Sequence, residues 1–236
     1  MDQSDWRRLG AEILAFLLAA DCPGCGQGGT LLCERCRLLL LRADAVGTRT
    51  PGGIPVRAAL RYDGVAARCI RRVKEDGQTL LTRTLGEAMA GLLAEARPAL
   101  LVPVPTGRAA FRRRGYRVPE LLIRRAGERP QRLLRAVRAT GDQRGLGRAQ
   151  RIRNIAGSMR ALSAPGAADV VIVDDVVTTG ATIDEAARAL AAEGYRVRGA
   201  VALAATPRRG DSGDHSTRET SDDTMEMKGD NRVNGD

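Results

Sequence analysis

The chain has 236 residues, of which 43% are hydrophobic and only 3% aromatic, enough for one ordinary domain plus a small module packed by aliphatic side chains. Its formal charge is +10, but residues 207–236 hold five basic and eight acidic groups, leaving +13 on residues 1–206. A body this basic is expected to meet phosphate, on a metabolite or on nucleic acid. The one histidine, His215, falls in the acidic end, so histidine acid–base catalysis and histidine metal ligation are excluded from the body.

Trp6-Arg7-Arg8, then Leu9 to Ala20, then Cys22 superficially imitate a secretory signal. Asp2 and Asp5 make the start acidic, Glu12 interrupts the apolar stretch, and Asp21 stands where a small residue is needed. The apolar run is too short to span a bilayer. Apolar residues at 9, 13, 14, 16, 17 and 18 fit one face of a buried helix, and the chain reads as cytoplasmic with no membrane partner. Cys22-Pro23-Gly24-Cys25 and Cys33-Glu34-Arg35-Cys36 follow, two C-x-x-C knuckles separated by seven residues. Four thiolates are the set that a tetrahedral structural zinc takes, and with no open position such a site is structural. A disulfide pair is disfavoured without an export signal, and a redox pair is disfavoured because the motif is doubled. These features define a module over residues 1–45.

Pro55 to Tyr62 suits a strand, Val65 to Val73 a helix, and Leu80 to Ala96 a longer helix closed by Pro98. Cys69 falls inside the first of these helices and reads as an ordinary buried thiol. Of 38 basic residues 36 are arginine, which reads as a compositional bias, so Lys74 stands out as the only lysine before the terminal segment. Leu100 to Val104 is a short strand ending in Pro103-Val104-Pro105-Thr106, followed by a basic loop with Arg108 and Arg112-Arg113-Arg114-Gly115-Tyr116. Val170 to Val173 reads as a strand buried on both faces, as in a parallel sheet. Asp174 and Asp175 end it, Thr178-Thr179-Gly180 form a loop, and a helical pattern starts at about Ala181. Arg196 to Ala204 is the last strand, and from Pro207 the chain lacks the apolar residues needed for a core, so a disordered tail is expected over 207–236. Alternating strands and helices over 50–206 predict an α/β fold with a parallel sheet flanked by helices.

In such sheets a ligand sits beyond the carboxyl ends of the strands. Two acids suit vicinal hydroxyls or a divalent metal, and a Thr/Gly loop at a helix N-terminus suits a phosphate. The pattern describes a sugar phosphate. An ordinary buried strand with a polar turn is the plain alternative. A Walker B strand is excluded, because neither Lys74 nor Lys228 follows a P-loop glycine pattern.

The run Val170 to Thr182 resembles the phosphoribosyl pyrophosphate (PRPP) signature of type I phosphoribosyltransferases. The resemblance implies that Asp174 and Asp175 contact the ribose hydroxyls while Thr178, Thr179, Gly180, Ala181 and Thr182 wrap the 5-phosphate. A wider likeness, over about Leu9 to Ala205, is to the ComF family of competence-associated phosphoribosyltransferase-like proteins. It rests on the ordered set of cysteine knuckles, Val102-Pro103-Val104-Pro105 with a downstream Arg-Gly-aromatic, Thr140-x-x-Gln143-x-x-Leu146 with Arg151-x-Arg153-Asn154, and the PRPP-like run. After Arg114-Gly115-Tyr116 that family usually continues with Asn-Gln, where this chain has Arg117-Val118.

The likeness implies PRPP bound with Mg²⁺, its pyrophosphate near Thr106 and Arg108, with Arg112 to Arg114 as further partners or as a plain surface patch. Lys74 is either a pyrophosphate ligand or a solvated lysine beside Glu75 and Asp76. Pyrophosphate then leaves and an unidentified acceptor captures the ribose, while residues Gln143–Asn154 resemble a loop that excludes water. A second expectation is a non-catalytic module whose partners are DNA or DNA-uptake proteins. The scarcity of aromatics argues against stacking on single-stranded bases.

Overall fold

The computed structural model describes residues 20–137, 155–163 and 167–206. The expected helix over Leu9–Leu18, the Gln143–Asn154 segment and the tail from Pro207 lie outside the described residues. In chain order the elements are α1 (Glu34–Leu41), β1 (Val46–Arg49), β2 (Pro55–Arg61), α2 (Gly64–Glu75), α3 (Thr82–Glu95), β3 (Leu100–Pro103), α4 (Arg108–Arg114), α5 (Val118–Arg125), β4 (Leu134–Ala136), β5 (Met159–Ala161), β6 (Asp169–Val177), α6 (Ala181–Ala192) and β7 (Arg196–Ala205).

Five strands form one sheet in the order β1-β2-β7-β6-β3. Strands β2, β7, β6 and β3 are parallel, and β1 caps the edge of β2 antiparallel. The expected parallel sheet with flanking helices is therefore present. Parallel neighbours need helical crossovers, and these cover both faces. On one face, Leu101, Val171, Val173, Val201 and Leu203 pack against Ile70 and Val73 of α2, Met89 and Leu93 of α3, and Leu122 of α5. On the other, Val102, Val170, Ile172, Ala200 and Ala202 pack against Ile183, Ala186 and Leu190 of α6. The two-residue alternation along β6 divides its side chains between these cores.

Several elements differ from the sequence expectation. The long helix expected from Leu80 begins instead as a 3₁₀ turn, Thr79–Leu81, before α3. The expected basic loop is a helix: α4 runs from Arg108 to Arg114 and stops at Gly115, whose φ of +79° suits glycine. No residue of α4 is buried, so it lacks the apolar stripe that betrays a helix in sequence. β6 does not stop at Val173 but continues through both acids to Val177, paired with β7 at Asp174↔Ala202 and Val177↔Ala205. A separate antiparallel pair, β4 with β5, packs Leu134 and Met159 into the α6-side core. Among the described residues no helix is long and apolar enough to cross a membrane.

Candidate active site

The carboxyl end of β6 brings the two acids into a defined frame. Asp174 is buried, and one of its carboxylate oxygens accepts the Asp175 backbone N–H at 2.8 Å. Asp175 shares the strand face of Val173, toward α2. There the Lys74 ammonium, in the last turn of α2, meets its Oδ1 at 2.6 Å. Of the two readings of Lys74, the solvated helix end does not describe this arrangement. Its side chain is one-quarter exposed and paired across 101 residues of sequence. Burial, then the Asp175 charge, raise the Asp174 carboxyl to about 7, against the pull of Lys74 and of the Asp175 N–H.

Beyond Val177 the chain turns through Thr178 and Thr179 to Gly180, which has φ of +82° and caps α6. A Cβ at Gly180 would lie 2.9 Å from Thr50 Cγ2, so glycine is needed for close approach as well as for conformation. Ala181 N–H points to Thr179 Oγ1 at 3.4 Å. The opening turn of α6, where N–H groups have no partner within a helix, thus faces the loop. A small cleft here is lined by Thr48, Arg49, Thr178, Thr179, Gly180 and Thr206. Sequence reasoning misses Thr48, Arg49 and Thr206, since they arrive from β1 and from the end of β7. Thr206 N–H also holds the Val177 carbonyl at 2.9 Å.

On the other flank, Pro103 pairs with Val173, and Val104 N–H donates to the Val173 carbonyl at 2.9 Å. The Pro105–Gly107 loop therefore leaves the sheet beside Asp174. Thr106 is half-buried, whereas Arg108, Arg112 and Arg113 are exposed on α4. Tyr116 donates its hydroxyl to the Val73 carbonyl, one residue before Lys74. Arg117 stacks 4.2 Å from the Phe111 ring centroid and lies 3.6 Å from Glu120, while Val118 is buried in the core. Both positions that depart from the ComF pattern are thus tied into the scaffold.

The cysteine knuckles form a second centre. The Sγ atoms of Cys22, Cys25, Cys33 and Cys36 all lie within 4.8 Å of one another. A tetrahedral zinc with Zn–S of about 2.3 Å needs sulfurs about 3.8 Å apart, so the four could hold such an ion. Burial pushes Cys22 upward, but backbone donors including the Cys33 N–H outweigh it and bring the thiol down to about 6, whereas burial and then the neighbouring thiols push Cys36 up. Gly24 is required by space, since a Cβ there would fall 2.4 Å from Cys36 Sγ. Cys69, as expected, is buried and its thiol is pushed up to about 12, mainly by burial.

The phosphoribosyl transferase domain family matches residues 110–231, more than half of the chain. The chain belongs to that family. Within the phosphoribosyl transferase domain fall α5, the acids of β6, the Thr/Gly loop and α6. Two solved structures are similar to the chain. One is a hypoxanthine phosphoribosyltransferase from Staphylococcus aureus, at 16% identity and TM-score 0.31 over 53% of this chain and 64% of that one. The other is the protein TT1426 from Thermus thermophilus, at 23% identity and TM-score 0.30 over 54% of this chain and 84% of that one. The chain thus spans under two thirds of the hypoxanthine enzyme's length. No curated protein matches the sequence.

Proposed function

We propose that the chain binds PRPP with Mg²⁺ and transfers its phosphoribosyl group to an unidentified acceptor. The observation that carries this reading is the juxtaposition of Asp174 and Asp175, met by Lys74 from α2, with a glycine-capped Thr loop opening onto α6, the acids and the loop lying inside the matched phosphoribosyl transferase domain. In this reading Asp174 and Asp175 accept hydrogen bonds from the ribose 2′- and 3′-hydroxyls. Thr178, Thr179, Gly180, Ala181 and Thr182 hold the 5-phosphate with hydroxyls and backbone N–H groups. Thr106, Arg108 and Lys74 face the pyrophosphate, where a guanidinium matches phosphate oxygens in a fork. Bound with the substrate, Mg²⁺ supplies neutralisation of pyrophosphate charge.

The bond between ribose C1 and the pyrophosphate oxygen breaks, and its electron pair leaves with pyrophosphate. The acceptor's lone pair then closes on C1. Positioning and charge stabilisation carry such a step, in keeping with a body without histidine. In the same reading Cys22, Cys25, Cys33 and Cys36 would hold a structural zinc. Because Arg117 and Val118 serve the scaffold, acceptor recognition in this chain falls to groups other than the Asn-Gln pair of the ComF pattern.

Calorimetric titration with PRPP and Mg²⁺ tests the reading. Wild type should bind, and Asp174→Asn with Asp175→Asn should weaken binding at least about tenfold, a loss of ~1.4 kcal/mol. Absence of binding, or equal affinity in the double variant, would overturn it. Steeply salt-dependent retention of DNA without PRPP binding would favour the non-catalytic alternative.

A further inference from the structure

Helix α2 touches both centres of the molecule. At its first turns, Val65 packs against the cysteine cluster, with the Gly24 Cβ direction only 3.0 Å from Val65 Cγ1. One turn on, Arg68 Nε donates to the Pro23 carbonyl at 2.9 Å, and its Nη2 donates to the Gly24 carbonyl. In its last turn Val73 is held by Tyr116, and Lys74 meets Asp175. From Arg68 to Lys74 the helix rises only about 9 Å. Its inward face opens with Ala66 and Ala67, small side chains that give little shape with which to key a helix against sliding or rotation. The larger anchors, Cys69, Ile70 and Val73, come later.

Resting on the PRPP reading above, we infer that Arg68 is a positioning residue: by tying the first cysteine knuckle to α2 it sets where Lys74 meets Asp175. Two observations carry this. The Arg68 fork grips two successive carbonyls, those of Pro23 and Gly24 between the first pair of cysteines, so it fixes the knuckle's direction as well as its distance. The knuckle in turn cannot shift freely, because Gly24 is wedged between Cys36 and Val65. The cysteine module therefore acts on the ribose-binding acids through one rigid strut, without contributing a group to the pocket.

The test is a thermodynamic cycle on the full chain. Arg68→Met removes both donors and keeps the stem. Titrated with PRPP and Mg²⁺, it should bind about fivefold more weakly than wild type, with bound zinc unchanged by metal analysis. Arg68→Lys, which keeps one donor, should fall between. In a Lys74→Met background the Arg68→Met loss should disappear, because the strut then has nothing to deliver. Wild-type affinity in Arg68→Met, or a loss of equal size with and without Lys74, would overturn the inference.

A second readout needs no ligand. Lys74 and Lys228 are the only lysines, so ¹⁵N-lysine labelling gives two side-chain ammonium signals, and Lys74→Met identifies the relevant one. Ion-paired to Asp175, the Lys74 ammonium should exchange slowly in wild type and lose that protection in Arg68→Met. Unchanged protection would overturn the inference. Failure of wild type to bind PRPP, with this signal behaving as expected, would reject the phosphoribosyl reading and leave the strut standing. Should Arg68→Met fail to fold, Val65→Ala loosens the same contact and is read in the same two ways.

Discussion

Burial and the Asp175 charge together hold the Asp174 carboxyl near 7, far above the 3.8 of an unfolded chain. Between those two values the folded protein binds more protons than the unfolded one, so stability falls as pH rises through that window. The unfavourable contribution is complete above about pH 7 and absent below about pH 4. Replacing Asp174 by Asn removes the titration while keeping the shape. Thermal melts should show Asp174→Asn several degrees more stable than wild type at pH 8 and no more stable at pH 4, even as its affinity for PRPP drops. Such a trade is expected where a carboxylate is kept buried for binding. A variant less stable than wild type at pH 8 would show that the Lys74 pairing outweighs burial.

At the scale of elements, the loop between β6 and α6 depends on Gly180 twice over, through φ of +82° and through contact with Thr50. Gly180→Ala should cost at least about 1 kcal/mol of stability, measurable by urea unfolding. It should also weaken PRPP binding, because relief of the clash moves the loop from the α6 N-terminus. How far such elements can be foreseen depends on where their stabilisation comes from. β6 is legible because Val170 to Val173 are β-branched and buried on both faces. Its end is not, because two aspartates read as a terminus, whereas pairing with β7 carries the ladder past them to Val177. α4 escapes notice because it buries nothing, and β1 because a four-residue edge strand leaves almost no periodic signal. In the site, Asp174, Asp175 and the Thr loop announce themselves by being contiguous. The Lys74 pairing and the approach of Thr48, Arg49 and Thr206 do not, since only the folded topology brings those segments together.

For the molecule as a whole, the cysteine module is fused to the sheet domain at several points. Leu40 of α1 joins the main core, Arg37 of α1 lies 3.3 Å from Glu87 of α3, and Arg68 grips the first knuckle. Unfolding should therefore be a single transition in calorimetry. With zinc bound as proposed, a strong chelator should lower its midpoint by several degrees without splitting it. Two separated transitions would show that the module melts alone.

The pairing of β6 with β7 past the two acids also sets the timing of events in the pocket. Asp174 pairs with Ala202 and Val176 with Ala204, so the backbone that carries both acids moves only when the sheet opens, an excursion approaching the cost of global unfolding. Thr178 to Gly180 lie past its last paired residue, where turns relax on the nanosecond-to-microsecond scale. The acid half of the pocket is therefore in place before any ligand arrives, and only the threonine half has freedom left to lose. For the proposed sugar phosphate, entropy would be lost on one side alone, and release would begin at the threonines and end at the carboxylates.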